Sequence, residues 1–348
     1  MNPVVSVIIP AYNAQTTIAE TIGSVQAQSL DELEIVVVDD GSTDNTAGIV
    51  EQMAASDQRI GLIRQGNAGV AAARNAAMAH ARGRFIASLD SDDIWHPDKL
   101  AIQVQALATA RADVGLVYCW HRRIDGANHV FPGSWSPEID GGVLHRHLEW
   151  NFISNGSTPL VPAELARSVA YDTALLQGCE DYMFQLRIAR THQFQHVPFY
   201  LVGYRYRPAS LSRATENMLL GHLQMYGVLD RELEGKGAAR QIIAWRKTKL
   251  LVELSRHWFR QGNIAAAWAA FARAIRTSPT NIAEAMLVEL RNQQAMFAPP
   301  KPSSTPLRPF LSYATDESDG DWSSHRSQAY LQRLEKLDQI NAHQSSAG

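Results

Sequence analysis

An α/β fold with a mainly parallel sheet covered by helices is predicted for the first part of this chain, on three observations. Short β-branched runs alternate with helical patterns from residue 4 to residue 119, which is the rhythm of β-α-β units. Three of those runs stop abruptly in polar, carboxylate-rich loops, and open parallel sheets bind ligands outside the carboxyl ends of their strands. The chain has 348 residues, 45% of them hydrophobic, enough for about two domains with one full core.

Taken in order, Val4 to Ile9 is β-branched and is expected to end at Pro10, as a buried first strand would. Ile18, Ile22 and Val25 recur three or four apart and predict a helix. Leu33 to Val38 is a second strand, closed by Asp39-Asp40-Gly41-Ser42-Thr43-Asp44, where Thr43 or Asp44 can cap a helix running to about residue 55. Arg59 to Ile63 reads as a third strand, and Gly66-Asn67-Ala68-Gly69 turns into an alanine-rich helix over Val70 to Ala81. Phe85 to Leu89 is a fourth strand, followed at once by Asp90-Ser91-Asp92-Asp93. Pro97 opens the next helix, and Val114 to Cys119 is a fifth strand. Gly156 to Val161 reads as a loop and short strand, Glu180 to Ala189 as a helix, and His196 to Tyr206 as aromatic and β-prone.

From 216 to about 297 the pattern is helical, and Gly262 to Pro279 resembles half of a tetratricopeptide repeat. One half-repeat cannot form a solenoid, so a helical extension, with a protein partner as its use, is the modest expectation. Pro299 to Ser304 reads as a linker, leading to a largely flexible tail with a short helix near Tyr330 to Ile340.

Composition narrows the function. Lys and Arg number 32 against 35 Asp and Glu, for a formal net charge of −3; a chain of that balance is not a general nucleic-acid binder. Two cysteines, Cys119 and Cys179, make neither a disulfide framework nor a structural zinc site. No apolar run nears the ~18 residues of a membrane span and no signal-peptide pattern opens the chain. A cytoplasmic protein is expected, with peripheral attachment to the inner face of a membrane left open.

The acidic turn after the fourth strand carries the strongest chemical signal. Asp90, Asp92 and Asp93 repel one another unless positive charge is near, and a hard divalent cation such as Mg²⁺ or Mn²⁺ with substrate phosphates would resolve this. A solvated turn capped by Asp93 is the bland alternative. A carboxylate of the Asp39-Asp40 loop can accept hydrogen bonds from a base or a ribose hydroxyl, or merely shape the turn. Pro10-Ala11-Tyr12-Asn13 offers an aromatic face beside a base, or an ordered turn only. The 12 histidines show no compact metal-ligand pattern, and His145 and His147 are expected on the surface.

Taken together, PAYN at 10–13, DDGSTD at 39–44, GNAGVAAARN at 66–75, LDSDDIWHPDKL at 89–100 and GCEDYMFQLRIA at 178–189 resemble the inverting glycosyltransferases of family 2. The resemblance covers roughly residues 4 to 213. It implies the GT-A fold over residues 1–215, with a nucleotide-binding half at about 1–120 and an acceptor-binding half at about 121–215. The helical extension then spans 216–297, and the linker and tail 298–348. It also implies a nucleotide-diphosphate sugar as donor, a UDP-sugar favoured, and a hydroxyl of a glycan or lipid-linked molecule as acceptor. Pro10, Tyr12, Asn13 and Asp40 would line the base and ribose pocket, with Asp90 and Asp92 at the metal and phosphates. Arg74 would neutralise the acidic loops or reach phosphate. Asp181 would be the base that removes the acceptor proton, with Glu180 orienting it or touching the acceptor. Trp135 and Trp150 are further acceptor candidates. One departure stands out: Tyr204-Arg205-Tyr206-Arg207 places Arg207 where the family often has histidine, and arginine pairs with phosphate but does not ligate metal.

Two other readings compete. A nucleotidyltransferase would favour a glycine-rich, basic phosphate loop near the first strand, which PAYN is not. A catalytically silent nucleotide-sugar-binding or scaffold protein would bind without turnover. A dehydrogenase is weaker, because no G-x-G-x-x-G follows the first strand.

Overall fold

All seven residues of β1 (Val5–Ala11) are buried, as are all seven of β2 (Leu33–Asp39). A strand covered on both faces has no need to alternate polar and apolar side chains, hence the continuous β-branched runs. β3 (Ile60–Arg64) and β4 (Phe85–Ser88) join them in parallel in the order β3-β2-β1-β4. The structure is a computed structural model and describes residues 3–134, 136–175, 178–206, 215–233, 237–291, 307–317 and 328–345. Pro10 does not end β1 but lies inside it, opposite Val38. The pairing of β1 with β4 stops at Ile8, so Pro10 sits on a one-sided stretch where a missing N–H is tolerated.

The sheet continues through β5 (Ile94–Trp95), β6 (Val114–Ile124), β7 (Leu160–Pro162) and β8 (Gln193–Arg205), giving eight strands in the order β3-β2-β1-β4-β7-β6-β8-β5. β7 runs antiparallel to β4 and β6, and β5 antiparallel to β8. The sheet is thus mixed, with a parallel first half. Helices α1 (Ile18–Gln26), α2 (Thr46–Ser56), α3 (Val70–His80), α4 (Lys99–Thr109), α5 (Leu144–Glu149), α6 (Ala163–Val169) and α7 (Glu180–Ala189) flank it. Its two faces bury separate cores. Val5, Val7 and Ile9 join Ile18, Ile22 and Leu100 on one side, while Ile8 joins Ala73, Ala77, Tyr182 and Leu186 on the other. This is a GT-A-like α/β fold with a C-terminal helical region.

α8 (Thr215–Glu232), α9 (Gly237–Arg260), α10 (Ile264–Thr277) and α11 (Ile282–Arg291) follow. α8 continues the second core: Leu223, Tyr226 and Leu229 are buried with Tyr182 and Leu186. The Tyr226 hydroxyl donates to the Leu148 carbonyl at 2.7 Å, and Glu232 pairs with Arg187 at 2.7 Å. Among the described residues no helix is long and apolar enough to cross a membrane.

Two C-terminal segments, 307–317 and 328–345, pack against the sheet and α5. Pro299 to Ser304 lie outside the described residues. Phe310, however, is buried among Ile94, Ile124 and Val130, and the N–H of Tyr200 donates to the Thr315 carbonyl at 2.7 Å. On α12 (Gln328–Ser345), Asp338 is 1% exposed and closes the start of α5. It accepts from the His145 N–H at 2.5 Å and from Arg146 Nε at 2.8 Å. A polar-looking tail docks because the buried Asp338 carboxylate meets the unpaired N–H groups of a helix start and Leu334 enters the second core. His145 is therefore buried, not on the surface, and His147 is fully enclosed with Nε2 3.0 Å from Gln185 Oε1. Asp338→Ala removes one partner of an enclosed ion pair and should lower stability by about 3 kcal/mol; chemical denaturation reads it.

Candidate active site

Parallel pairing of β2, β1 and β4 brings the loops that follow them to one edge of the sheet, and side chains tie those loops together. The N–H of Asn13, at a φ of +47°, donates to Ser42 Oγ at 3.0 Å, and its Oδ1 accepts from the Thr43 N–H at 2.8 Å. Thr17 Oγ1 donates to the Ser91 carbonyl at 2.8 Å. Of the residues expected to surround a nucleotide, Tyr12, Asn13, Asp40, Asp90 and Asp92 thus lie on three linked loops, and Pro10 lies at the end of β1, just before the first of them. Tyr12 is 51% exposed, its ring open to a ligand.

Asp40 faces inward. Its Oδ1 accepts from Gln65 Nε2 at 2.7 Å and the Ala68 N–H at 2.9 Å, and its Oδ2 from the Gly69 N–H at 2.9 Å. Asp40 thereby fixes the start of α3. Asp39 accepts from the Ser42 N–H at 3.2 Å and shapes its own turn. Gly41 takes a φ of +76°, and a Cβ there would stand 2.8 Å from the Asn67 backbone nitrogen, so only glycine fits this turn.

α3 delivers Arg74 to the centre of the site. Its guanidinium donates through Nη2 to Asp90 Oδ1 at 2.6 Å, through Nη1 to Glu180 Oε1 at 2.5 Å and through Nε to Ser88 Oγ at 3.1 Å. The side chain is 3% exposed and lies 5.1 Å from the Tyr171 ring centroid. Planar donors in a fixed fork suit one cation shared by several acceptors. Arg74 therefore joins the acidic turn after β4 to the first residues of α7, which are 106 positions further along the chain.

Asp181 follows Glu180 on α7 and is half-buried. Burial and then the neighbouring Glu180 push its carboxyl up to about 7, Arg74 pulls it down, and Asp90 adds to the rise. Glu180 is 5% exposed, so it meets Asp181 as a like charge behind it. A cavity of about 10 Å³, of the order of one water molecule, touches Ser88, Gly156, Tyr171 and Asp181. A Cβ at Gly156 would stand 2.9 Å from Arg74 Nη2. Gly156→Ala should displace that guanidinium and cut turnover by about 10- to 100-fold; steady-state kinetics beside a thermal melt separate this from unfolding.

The acidic turn is braced from beneath. Asp93 is fully buried, its Oδ2 accepting from Ser157 Oγ at 2.6 Å and its Oδ1 from the Arg205 N–H at 2.9 Å. Burial, then Asp92, then Asp90, drive its carboxyl well above the ordinary range. Arg205 donates to the Asp92 carbonyl at 2.7 Å and to Glu20 Oε2 at 2.7 Å. Asp92 is half-buried, and Asp90 has one oxygen on Arg74. A set of one or two carboxylates suits a cation that completes its shell with water and phosphate oxygens. Among the described residues no three His, Cys, Asp or Glu groups converge to hold a metal alone.

Trp150 lies elsewhere, packed with Phe152, ring centroids 6.0 Å apart, against the second core. Trp135 and Arg207 lie outside the described residues. Ser88, Ser157, Tyr171 and Glu20 were not anticipated. Of these, Ser157 had a readable signal, a small polar residue beside a glycine at the entry to a strand.

Known proteins resemble this chain in sequence and in fold. The model of the family described as glycosyl transferase family 2 matches residues 6–159. The Escherichia coli enzyme WfgD, described as a UDP-Glc:alpha-D-GlcNAc-diphosphoundecaprenol beta-1,3-glucosyltransferase, is 48% identical over 104 residues, 30% of this chain and 40% of that protein. The chain spans less than half the length of such curated relatives. Among solved structures, Staphylococcus aureus TarS 1–349 in complex with UDP-GlcNAc superposes with a TM-score of 0.57 at 18% identity, covering 77% of this chain and 90% of that one. The mannosyltransferase PcManGT from Pyrobaculum calidifontis, in complex with GDP-Man and Mn²⁺, gives 0.56 at 23% identity, covering 84% and 82%.

Proposed function

We propose, from the premise that residues 6–159 of this chain belong to glycosyl transferase family 2, that it moves a sugar from a nucleotide diphosphate to an acceptor hydroxyl with inversion. The observation that carries the reading is the Arg74 hub, which joins Asp90 of the acidic turn to the Glu180-Asp181 start of α7. A donor seated on the three linked loops would present its phosphates to that turn and its sugar toward α7.

In this reading Asp181 takes the proton of the acceptor hydroxyl. The oxygen attacks the anomeric carbon as the bond from that carbon to the diphosphate breaks, and the electron pair leaves with the nucleotide diphosphate. A carboxyl near 7 suits the task, because it is ionised enough to accept a proton yet basic enough to draw one. Glu180 maintains that basicity by charge. Tyr12 stacks on the base, and Asn13 and Asp40 hold the loops that present it. Asp92, with Asp90 beside it, would hold Mn²⁺ or Mg²⁺, which when bound supplies positive charge to the departing diphosphate. WfgD favours a UDP-sugar as donor and a lipid-linked glycan as acceptor.

A screen of nucleotide sugars with and without Mn²⁺ or Mg²⁺ tests this, reading thermal stabilisation and release of nucleotide diphosphate. Stabilisation together with metal-dependent release supports transfer; tight binding with no release under any condition supports the silent binding protein instead. Asp92→Ala should lower turnover by about 100-fold or more and abolish the metal dependence of nucleotide binding while leaving the melting temperature within a few degrees. Equal turnover in both proteins would remove Asp92 from the metal role.

A further inference from the structure

Helix α10 carries its large side chains on the outside. Its buried residues are the alanines Ala267, Ala270 and Ala274, whereas Ile264, Trp268 and Ile275 are 45%, 67% and 42% exposed. Phe271 stands between them, its ring 6.2 Å from that of Trp268 in an edge-on arrangement. Positions 264, 268, 271 and 275 form a single stripe at helical spacing, turned away from the alanine face that packs on α9. Phe259, 63% exposed, adds an aromatic ring at the end of α9. A stripe that no described residue covers marks an interaction surface.

Charge says which kind. From Leu254 to Ala283 there is no Asp or Glu, while Arg256, Arg260, Arg273 and Arg276 all fall there, in a chain with 35 acidic residues against 32 basic ones. Arg260, Arg273 and Arg276 are exposed and make no ion pair with a described residue. A second copy joined through the stripe would gather the unneutralised arginines that flank it in both copies around one seam. A negatively charged lipid surface meets both properties at once. It takes aromatic and aliphatic side chains into the boundary of headgroup and acyl chain, and it pairs arginine with phosphate.

We propose that α10 and the end of α9 dock in the plane of an anionic phospholipid bilayer. The inference rests on this face alone and not on the transferase reading. The test is flotation of the full chain with vesicles of phosphatidylcholine alone or mixed with phosphatidylglycerol, without any sugar nucleotide. The chain should float with the anionic vesicles and not with the neutral ones, and rising salt should weaken the effect. The double variant Ile264→Ala with Trp268→Ala, and separately Arg273→Glu with Arg276→Glu, should each weaken partitioning by about tenfold or more. All four positions are surface-facing, and circular dichroism checks each fold; if one variant unfolds, the other decides. No flotation with anionic vesicles, or flotation unchanged in a folded variant, overturns the proposal. So does a lipid-independent dimer that Trp268→Ala dissolves, which would make a second copy the occupant.

Discussion

Asp181→Asn is expected to abolish sugar transfer, by about 10³-fold or more, while nucleotide affinity stays within a few-fold of the parent. General-base catalysis contributes about 10²- to 10⁴-fold, and an amide of the same shape keeps the packing of α7 but cannot accept the proton. Isothermal titration with the nucleotide beside steady-state transfer distinguishes the two quantities. Normal transfer by the variant would remove Asp181 as the base. The same carboxyl predicts the pH profile. With its value pushed up to about 7, the rate should fall about tenfold for each pH unit below that point and level off above it.

Stability should run the other way. A carboxyl whose value in the folded protein exceeds the unfolded one, about 3.9, is bound to its proton more tightly when folded. Its contribution is complete below the unfolded value and is lost as pH rises through about 7. Asp181→Asn should therefore melt higher than the parent at pH 8, by about 2 °C or more, with the gap closing toward pH 4. A catalyst that is stabilised by losing its base is the expected signature of a strained site.

What could be read in the residues, and what could not, divides by distance along the chain. The loops after β1, β2 and β4 were legible because buried strands end where polar residues begin, and parallel pairing then sets their ends side by side. The Asp40 contacts were less legible: a carboxylate that could face a ligand instead holds the N–H groups of residues 68 and 69. Arg74 was ambiguous between phosphate and packing, since its partners Asp90 and Glu180 lie 16 and 106 residues away. β5 is two residues long, too short for any periodicity. α12 was legible as a helix but not as a docked one, because Asp338 looks like any surface acid until α5 turns its N–H groups toward it.

Arg74 is where these separate strands of sequence become one site, and its replacement should have the largest effect on the fold. Arg74→Met keeps the bulk but leaves Asp90, Glu180 and Asp181 facing one another without their cation. Breaking an enclosed pair of this kind costs about 3–5 kcal/mol, which urea denaturation would register as a lower midpoint at unchanged slope. Arg74→Lys keeps the charge but loses the fork, since one ammonium cannot reproduce the bonds to Ser88, Asp90 and Glu180 together; a loss of about 1–2 kcal/mol is expected. The two variants also differ in the pH profile. Arg74 draws the Asp181 carboxyl down, so in Arg74→Met the acid limb of the rate should move above 7, whereas in Arg74→Lys it should stay close to the parent. A profile that stays put in a folded Arg74→Met protein would mean that the guanidinium holds the fold but does not tune the base.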